Sequence, residues 1–330
     1  MSILNSGVTQ QLSKKDSKEA ADIYWTRYLP YIVLVVVFAA VSIFVPYFLT
    51  ISNLLSVLLQ TASLAILAIG QAAVLILGGI DLSMPGVMAL GSIFGAMYMR
   101  AGGNPVLGAV IMLLVPAALG LINGISVSYF GMIPFVVTLA MQAITIGAAT
   151  MITNQISIPV PENFCNAMLT KIGGIPLPII IVLILTLFLQ FAVTKTYYGR
   201  WLYSTGTNMR TSRVSGVPTK KVVLAAYSFA GLMGGLAAII MTSRLYAASP
   251  QMGKDAVAMD IIASAAVGGV STMGGVGTAV NAVIGAIIIT LISNVMNMAN
   301  VSYYLTLVIK GIIIITFVAI DANSRKKSTK

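Results

Sequence analysis

From residue 29 to residue 320 the chain is a succession of long apolar runs, parted only by short polar breaks. A helix that crosses a bilayer needs about 20 mostly apolar residues, because the hydrocarbon core is about 30 Å thick. Charged residues make up 8% of the chain and hydrophobic residues 58%, whereas a soluble domain carries about 25% charged residues. So few charges cannot cover a water-facing surface, which excludes a soluble enzyme. The apolar content excludes disorder. The runs are uninterrupted, not short and alternating, which excludes an outer-membrane barrel. What remains is an all-α, polytopic membrane protein.

The runs predict about ten transmembrane helices, at 29–49, 53–77, 84–99, 105–130, 134–153, 177–194, 222–243, 256–269, 276–297 and 302–320. The third and eighth are short and read as broken helices, whose ends other helices must satisfy. Residues 154–176 read as a polar, proline-marked loop, and 195–221 as a basic loop. Residues 1–28 lack the apolar core and cleavage site of a secretory signal. They and residues 321–330 are expected to be tails flanking a transmembrane domain at 29–320. Lys and Arg concentrate on cytoplasmic loops. Fourteen of the nineteen fall in the two tails and the 195–221 loop, which predicts cytoplasmic termini and an even number of spans between these segments. A run of glycines from Gly78-Gly79 to Gly95 has an echo from Gly268-Gly269 to Gly285.

Several chemistries drop out. The chain has one cysteine, Cys165, and no histidine, so no internal disulfide, no cysteine zinc cluster and no histidine-based proton shuttle is expected. The net charge of +11 lies between apolar runs, not on a soluble face, and so does not point to nucleic acid. The single Gly-Lys pair, Gly253-Lys254, is followed by Asp255. The phosphate-cradling loop of ATPases is therefore missing.

Ionisable groups at membrane depth are functional candidates by default. Here they are Asp81, Asp260 and Lys310. Asp81 lies in Gly78-Gly79-Ile80-Asp81-Leu82-Ser83-Met84-Pro85-Gly86. The glycines permit a break, Asp81 or Ser83 can cap the next helix, and Pro85 suits its first turn. The segment reads either as a cap or as a polar break on a solute path. Asp260 and Lys310 read either as a packing ion pair or as part of such a path. Polar side chains recur at helical spacing in three runs: Asn53, Ser56, Gln60 and Gln71; Thr138, Gln142 and Thr145; Thr290, Ser293, Asn294 and Asn297. Uncharged amides and hydroxyls suit a neutral, hydroxyl-rich solute; the competing reading is ordinary interhelical bonding. The Gly91-x-x-x-Gly95 and Gly231-x-x-x-Gly235 spacings predict close packing. In the basic loop, Asn208 or Thr211 can start a short helix and Gly216 can end it. That helix reads as a lipid anchor or as a docking knob for a cytoplasmic partner.

Taken in order, three motifs resemble the permease subunits of ribose-type sugar ABC transporters, the binding-protein-dependent inner-membrane family. They are Gly78-Gly79-Ile80-Asp81-Leu82-Ser83; Gly206-x-Asn208 with Arg213-x-Ser215-Gly216-Val217; and Thr242-x-Arg244-Leu245, Ser249-Pro250, Asp260-Ile261-Ile262-Ala263, Gly268-Gly269 and Gly274-Gly275-x-Gly277. Val301-Ser302-Tyr303-Tyr304 with Lys310 completes the likeness. The chain departs from that pattern at Met209 to Thr211, at Pro85 and at Ala258.

The resemblance implies a permease of a monosaccharide importer in the bacterial cytoplasmic membrane. Its implied partners are a second permease copy, a cytoplasmic ABC ATPase that binds ATP and Mg²⁺, an extracytoplasmic sugar-binding protein and membrane lipid. It implies no cofactor in this chain. It gives the ATPase-coupling role to Gly206, Asn208, Arg210, Arg213, Ser215 and Gly216. The translocation path is expected along Asn53, Gln60, Gln71, Gly79, Asp81, Ser83, Gln142, Asn294 and Asn297. Two alternatives stand beside this reading: an ion-coupled secondary transporter using Asp81 and Asp260, and an ABC permease for nucleosides or branched-chain amino acids.

Overall fold

The computed structural model describes residues 28–328. The tail expected at 1–28 therefore lies, but for Tyr28, outside the described residues, as do residues 329–330. The helices are α1 (Tyr28–Phe44), α2 (Ile51–Ile76), α3 (Met84–Arg100), α4 (Pro105–Ser128), α5 (Pro134–Thr153), α6 (Glu162–Leu169), α7 (Leu177–Lys195), α8 (Tyr197–Thr207), α9 (Met209–Val214), α10 (Thr219–Leu245), α11 (Asp255–Val267), α12 (Ala279–Met298) and α13 (Tyr303–Ser328). Seven of them (α2, α4, α5, α7, α10, α12 and α13) are long and apolar enough to cross a membrane, while α1 and Ala256–Val267 of α11 are shorter apolar helices. With 17 residues, α3 extends about 25 Å.

Most predicted boundaries agree with these to within a few residues. Three differences have physical causes. The first helix stops at Phe44, where Pro46 and the left-handed Tyr47 (φ 62°) turn the chain and bury Phe48. The 154–176 loop contains α6, which is too short to span and packs Phe164 and Cys165 into the core. It also carries β1 (Ile158–Pro159), β2 (Lys171–Ile172) and β3 (Ile175–Pro176). At the C-terminus, α13 continues as helix to Ser328, beyond its apolar part.

Burial ranks the helices. The most apolar window of α2 is 83% buried and that of α10 is 67%, against 11% for α13. The pair α2–α10 is the axis of the bundle. A Cβ on Gly70 would lie 2.9 Å from the Met233 Cβ, and one on Gly79 would lie 2.6 Å from the Tyr227 hydroxyl. Numbers rise along one helix as they fall along the other, so the two run antiparallel. The packing repeats about this axis. α2 touches α11 and α12 as α10 touches α3 and α4, and the contacts among α3, α4 and α5 recur among α11, α12 and α13. The structural repeat is thus α2–α5 with α10–α13, in opposite directions. The glycine echo in the sequence pairs different segments, α2–α3 with α11–α12.

Glycines set the helix spacing. A Cβ on Gly120 of α4 would lie 2.7 Å from the Cα of Gly231, and one on Gly235 would lie 2.7 Å from the Cα of Leu113. Gly91 and Gly95 press against Pro116, Met112 and Gly108 of α4. Both glycine spacings are therefore close-packing surfaces. Gly147 of α5, in contrast, has no neighbour within 4 Å. Substituting Gly120→Ala is expected to cost about 1–3 kcal/mol through overpacking, while Gly147→Ala leaves the folded chain intact. Detergent extraction followed by thermal unfolding on gel filtration measures both.

Candidate functional site

Two breaks in helical structure meet inside the bundle. The first follows α2. Gly79 N–H donates to Val74 O (3.0 Å) and Gly78 N–H to Leu75 O (2.8 Å), the paired pattern of a Schellman cap. Gly78 occupies its left-handed position (φ 79°), which a side chain would strain. The remaining carbonyl, Ile76 O, accepts from Gly275 N–H (2.8 Å) in the α11–α12 turn.

The chain then doubles back. With its amide oriented to satisfy both groups, Gln71 donates to Asp81 O (2.9 Å) and accepts from Asp81 N–H (3.3 Å). Gln71 lies one and a half turns before the end of α2, so the segment returns about 8 Å along the helix. α3 therefore begins well inside the bundle. Asp81 Oδ1 accepts from Ser83 N–H (2.8 Å) and Ser83 Oγ–H (2.6 Å), and Asn123 Nδ2 donates to Ser83 Oγ (2.8 Å). Thr138 Oγ1 donates to Ile80 O (3.2 Å). Of the two expected caps, the carboxylate of Asp81 holds the turn, and the Ser83 side chain makes no cap bond.

The second break follows α10. Tyr246 is left-handed (φ 55°), and β4 (Ala247–Ala248) pairs with β1, Ile158 opposite Ala248. A single 3-10 turn, Pro250–Gly253, then descends along α3. Gly253 lies against Ala89, Ile146 and the Pro85 carbonyl, and Met252 against Ser92. Gln142, in the middle of α5, joins the two breaks. Its Oε1 accepts from Gly86 N–H (2.8 Å) in the first turn of α3, and its Nε2 donates to Gly253 O (2.9 Å).

Five of the expected path residues, Gln71, Gly79, Asp81, Ser83 and Gln142, are thus brought together and buried. The others lie elsewhere. Asn53 and Asn294 form a reciprocal amide pair between α2 and α12 (2.9 and 3.3 Å). Gln60 is half-buried and Asn297 exposed. Lys310 Nζ lies 2.8 Å from both carboxylate oxygens of Asp260, tying α13 to α11. Two members of the buried cluster escaped the sequence reading: Asn123 and Tyr227. Asn123 is a lone amide between Gly120 and Gly124, on the face that packs closest; its Oδ1 and the Tyr227 hydroxyl have no partner among the described residues. Cys165 is buried. Burial first, and then nearby Glu162, push its thiol up, which makes it inert.

The expected short helix in the basic loop is α9. Asn208 caps it, its Oδ1 accepting from Thr211 N–H (3.0 Å). Gly216 closes it in the left-handed region (φ 81°), with Val217 N–H on Ser212 O (3.0 Å) and Gly216 N–H on Arg213 O (3.1 Å). Arg210, Arg213, Val214, Ser215 and Gly216 are exposed. Gly206 is the base of this knob. A Cβ there would strike the Ile76 carbonyl and come within 2.9 Å of Gly275 N. Tyr203 Oη donates to Gly277 O (2.6 Å). The knob is therefore fastened to the end of α2 and to the α11–α12 turn.

Removing one partner of the Asp260–Lys310 pair strands a charge that is buried at Lys310 and partly buried at Asp260, which costs at most about 3–5 kcal/mol. Asp260→Asn and Lys310→Met are each expected to lower thermal stability in detergent, and the double variant Asp260→Leu with Lys310→Met to recover most of it. A double variant as unstable as the singles would contradict a packing role.

A family model described as the permease component of branched-chain amino acid transport systems matches residues 53–318. The chain is 36% identical to the D-allose transport system permease of Escherichia coli strain K12 over 304 residues, 91% of this chain and 92% of the relative. It is 34% identical to the ribose import permease of Bacillus subtilis strain 168 over 325 residues, 97% and 99% of the two chains. The L-arabinose ABC transporter permease of Azospirillum brasilense is 28% identical over 298 residues, 89% of this chain and 87% of that one. No solved structure matches the chain significantly. The chain belongs to this family of multi-pass ABC transporter permeases.

Proposed function

We propose that this chain, as a member of that permease family, is the membrane subunit of a bacterial importer for ribose or a similar monosaccharide, with α9 as its input from the ATPase. One observation carries the reading: a capped, exposed, basic knob is fastened at Gly206 to the end of α2, where the first break begins, and to the α11–α12 turn. A push on α9 then reaches the break through backbone contacts, without a flexible side chain between them. The sugar assignment rests on the allose, ribose and arabinose relatives and on a path offering amides and hydroxyls. A zwitterionic amino acid would need charged partners, and the ion pair found here is already closed on itself.

In this reading α1, α3 and α11 join the seven long helices to make ten spans. Residues 1–28, 195–221 and 321–330 face the cytoplasm, where the basic residues favour anionic lipid. ATP and Mg²⁺ bind the partner ATPase, and this chain holds no cofactor. The face carrying α6 and the β1–β4 pair meets the extracytoplasmic sugar-binding protein. A second permease copy completes the channel. Asn53, Gln60, Asn294 and Asn297 line its outer part, and the cluster of Gln71, Gly79, Asp81, Ser83 and Gln142 seals its centre. Broken helices at a repeat interface suit such a site.

Reconstitution tests the reading. Vesicles holding this chain alone are expected to accumulate no labelled D-ribose or D-allose. Uptake should appear when the ATPase and binding protein are added. Accumulation without the ATPase would overturn the proposal.

The knob gives a second test. Arg213→Ala and Gly216→Val are expected to weaken ATPase association by roughly tenfold, about 1.4 kcal/mol. Gly206→Ala should retain the ATPase but lose uptake. Co-purification and uptake are measured in parallel.

A further inference from the structure

The turn 250–253 and the start of α3 belong to different repeats that enter the bundle from different breaks, and one side chain bonds both. We infer that Gln142 is a latch between the two breaks, and that each transport cycle must open it. The inference rests on the permease reading above.

Both groups that Gln142 holds are orphans of helix ends. Gly86 N–H lies in the first turn of α3, where an amide has no intrahelical acceptor, and Gly253 O closes a 3-10 turn. An unmade bond to either would leave a buried polar group exposed to hydrocarbon. Both partners are glycines, and a Cβ on Gly86 would lie 2.6 Å from Gln142 Oε1. Among the described residues, no other conventional hydrogen bond joins the turn to α3 or α5. The Ser92–Met252 contact, hydroxyl to sulfur at 3.6 Å, is weak. The β1–β4 pair ties the turn only to residues 158–159.

Alternating access moves one repeat against the other around a fixed site. Any such motion that carries the start of α3 away from the 250–253 turn must break one of the two Gln142 bonds. The arrangement has two discrete states, latched and open, as a gate needs. Gln142 is accordingly a positioning residue, sealing the path from its flank.

The test uses membranes of cells that carry the whole transporter, in a Cys165→Ser background. Gln142→Met keeps the volume and removes both bonds. G253C reports on the turn through labelling by a membrane-impermeant maleimide. The expected result is faster G253C labelling in the Gln142→Met variant, within the roughly 5- to 150-fold range of coupling between sites. ATP hydrolysis without binding protein should rise while sugar uptake falls.

A reversible lock guards against a variant that fails to fold. A Cβ on Gly253 lies 3.2 Å from the Ile146 side chain, so the I146C/G253C pair can be joined by oxidation. Uptake should stop on oxidation and return on reduction. Wild-type labelling and uptake in Gln142→Met, or full uptake in the oxidised pair, would overturn the latch. Failure of the permease reading would show separately, as uptake by the unaltered chain that survives deletion of the ATPase.

Discussion

A peptide group inside a bilayer has no water to bond, so a chain at that depth must be helical or must find partners within the protein. This chain breaks helix twice in its interior and supplies the partners each time. At the first break the returning segment is bonded by Gln71, by the Asp81 carboxylate and by Thr138. At the second, Gln142 takes up the closing carbonyl of the turn. Gln71 comes from α2, Thr138 and Gln142 from α5, and Asp81 from the break itself. Removing one would leave an unbonded group where nothing else can reach it.

The close approach of backbones makes these reaches short. Where α4 meets α10 and α3 meets α4, glycines stand at the contact, and dispersion between closely spaced backbones replaces the hydrophobic drive that lipid does not provide. The same packing brings Asn123 to Ser83 across the α3–α4 seam. The outer helices behave differently. α13 and α7 present most of their surface outward, and α13 packs Ile313, Ile314 and Phe317 on α11 and α12 and is tied to α11 by the bidentate Asp260–Lys310 pair.

The knob and the breaks form one mechanical unit in the proposed mechanism. α9 is capped at both ends, so it is preformed, and its exposed arginines are free to meet a partner. Its base touches Ile76 and Gly275, and Ile76 is where α2 ends and the first break begins. A conformational signal entering at α9 need not be carried by long side chains, whose rotamer freedom would absorb it.

Periodicity and charge made much of this legible beforehand. Apolar run length marked the helices, because hydrocarbon thickness sets how many residues a span needs. Gly78, Asn208 and Gly216 announced turns, because left-handed backbone and side-chain caps are local requirements met by few residue types. Sequence patterns of this kind could also raise Asp81 and Gln142 as polar residues in apolar surroundings. They could not say what those residues bond. Gln142 is far from both Gly86 and Gly253 along the chain, and its role exists only because α5 lies where a re-entrant turn and a helix start converge. Asn123 and Tyr227 were invisible for the same reason: one amide or hydroxyl in a helix carries no pattern, and its meaning comes from the neighbour that folding brings to it. Local geometry is written in neighbouring residues; the pairing of distant polar groups depends on how the helices pack.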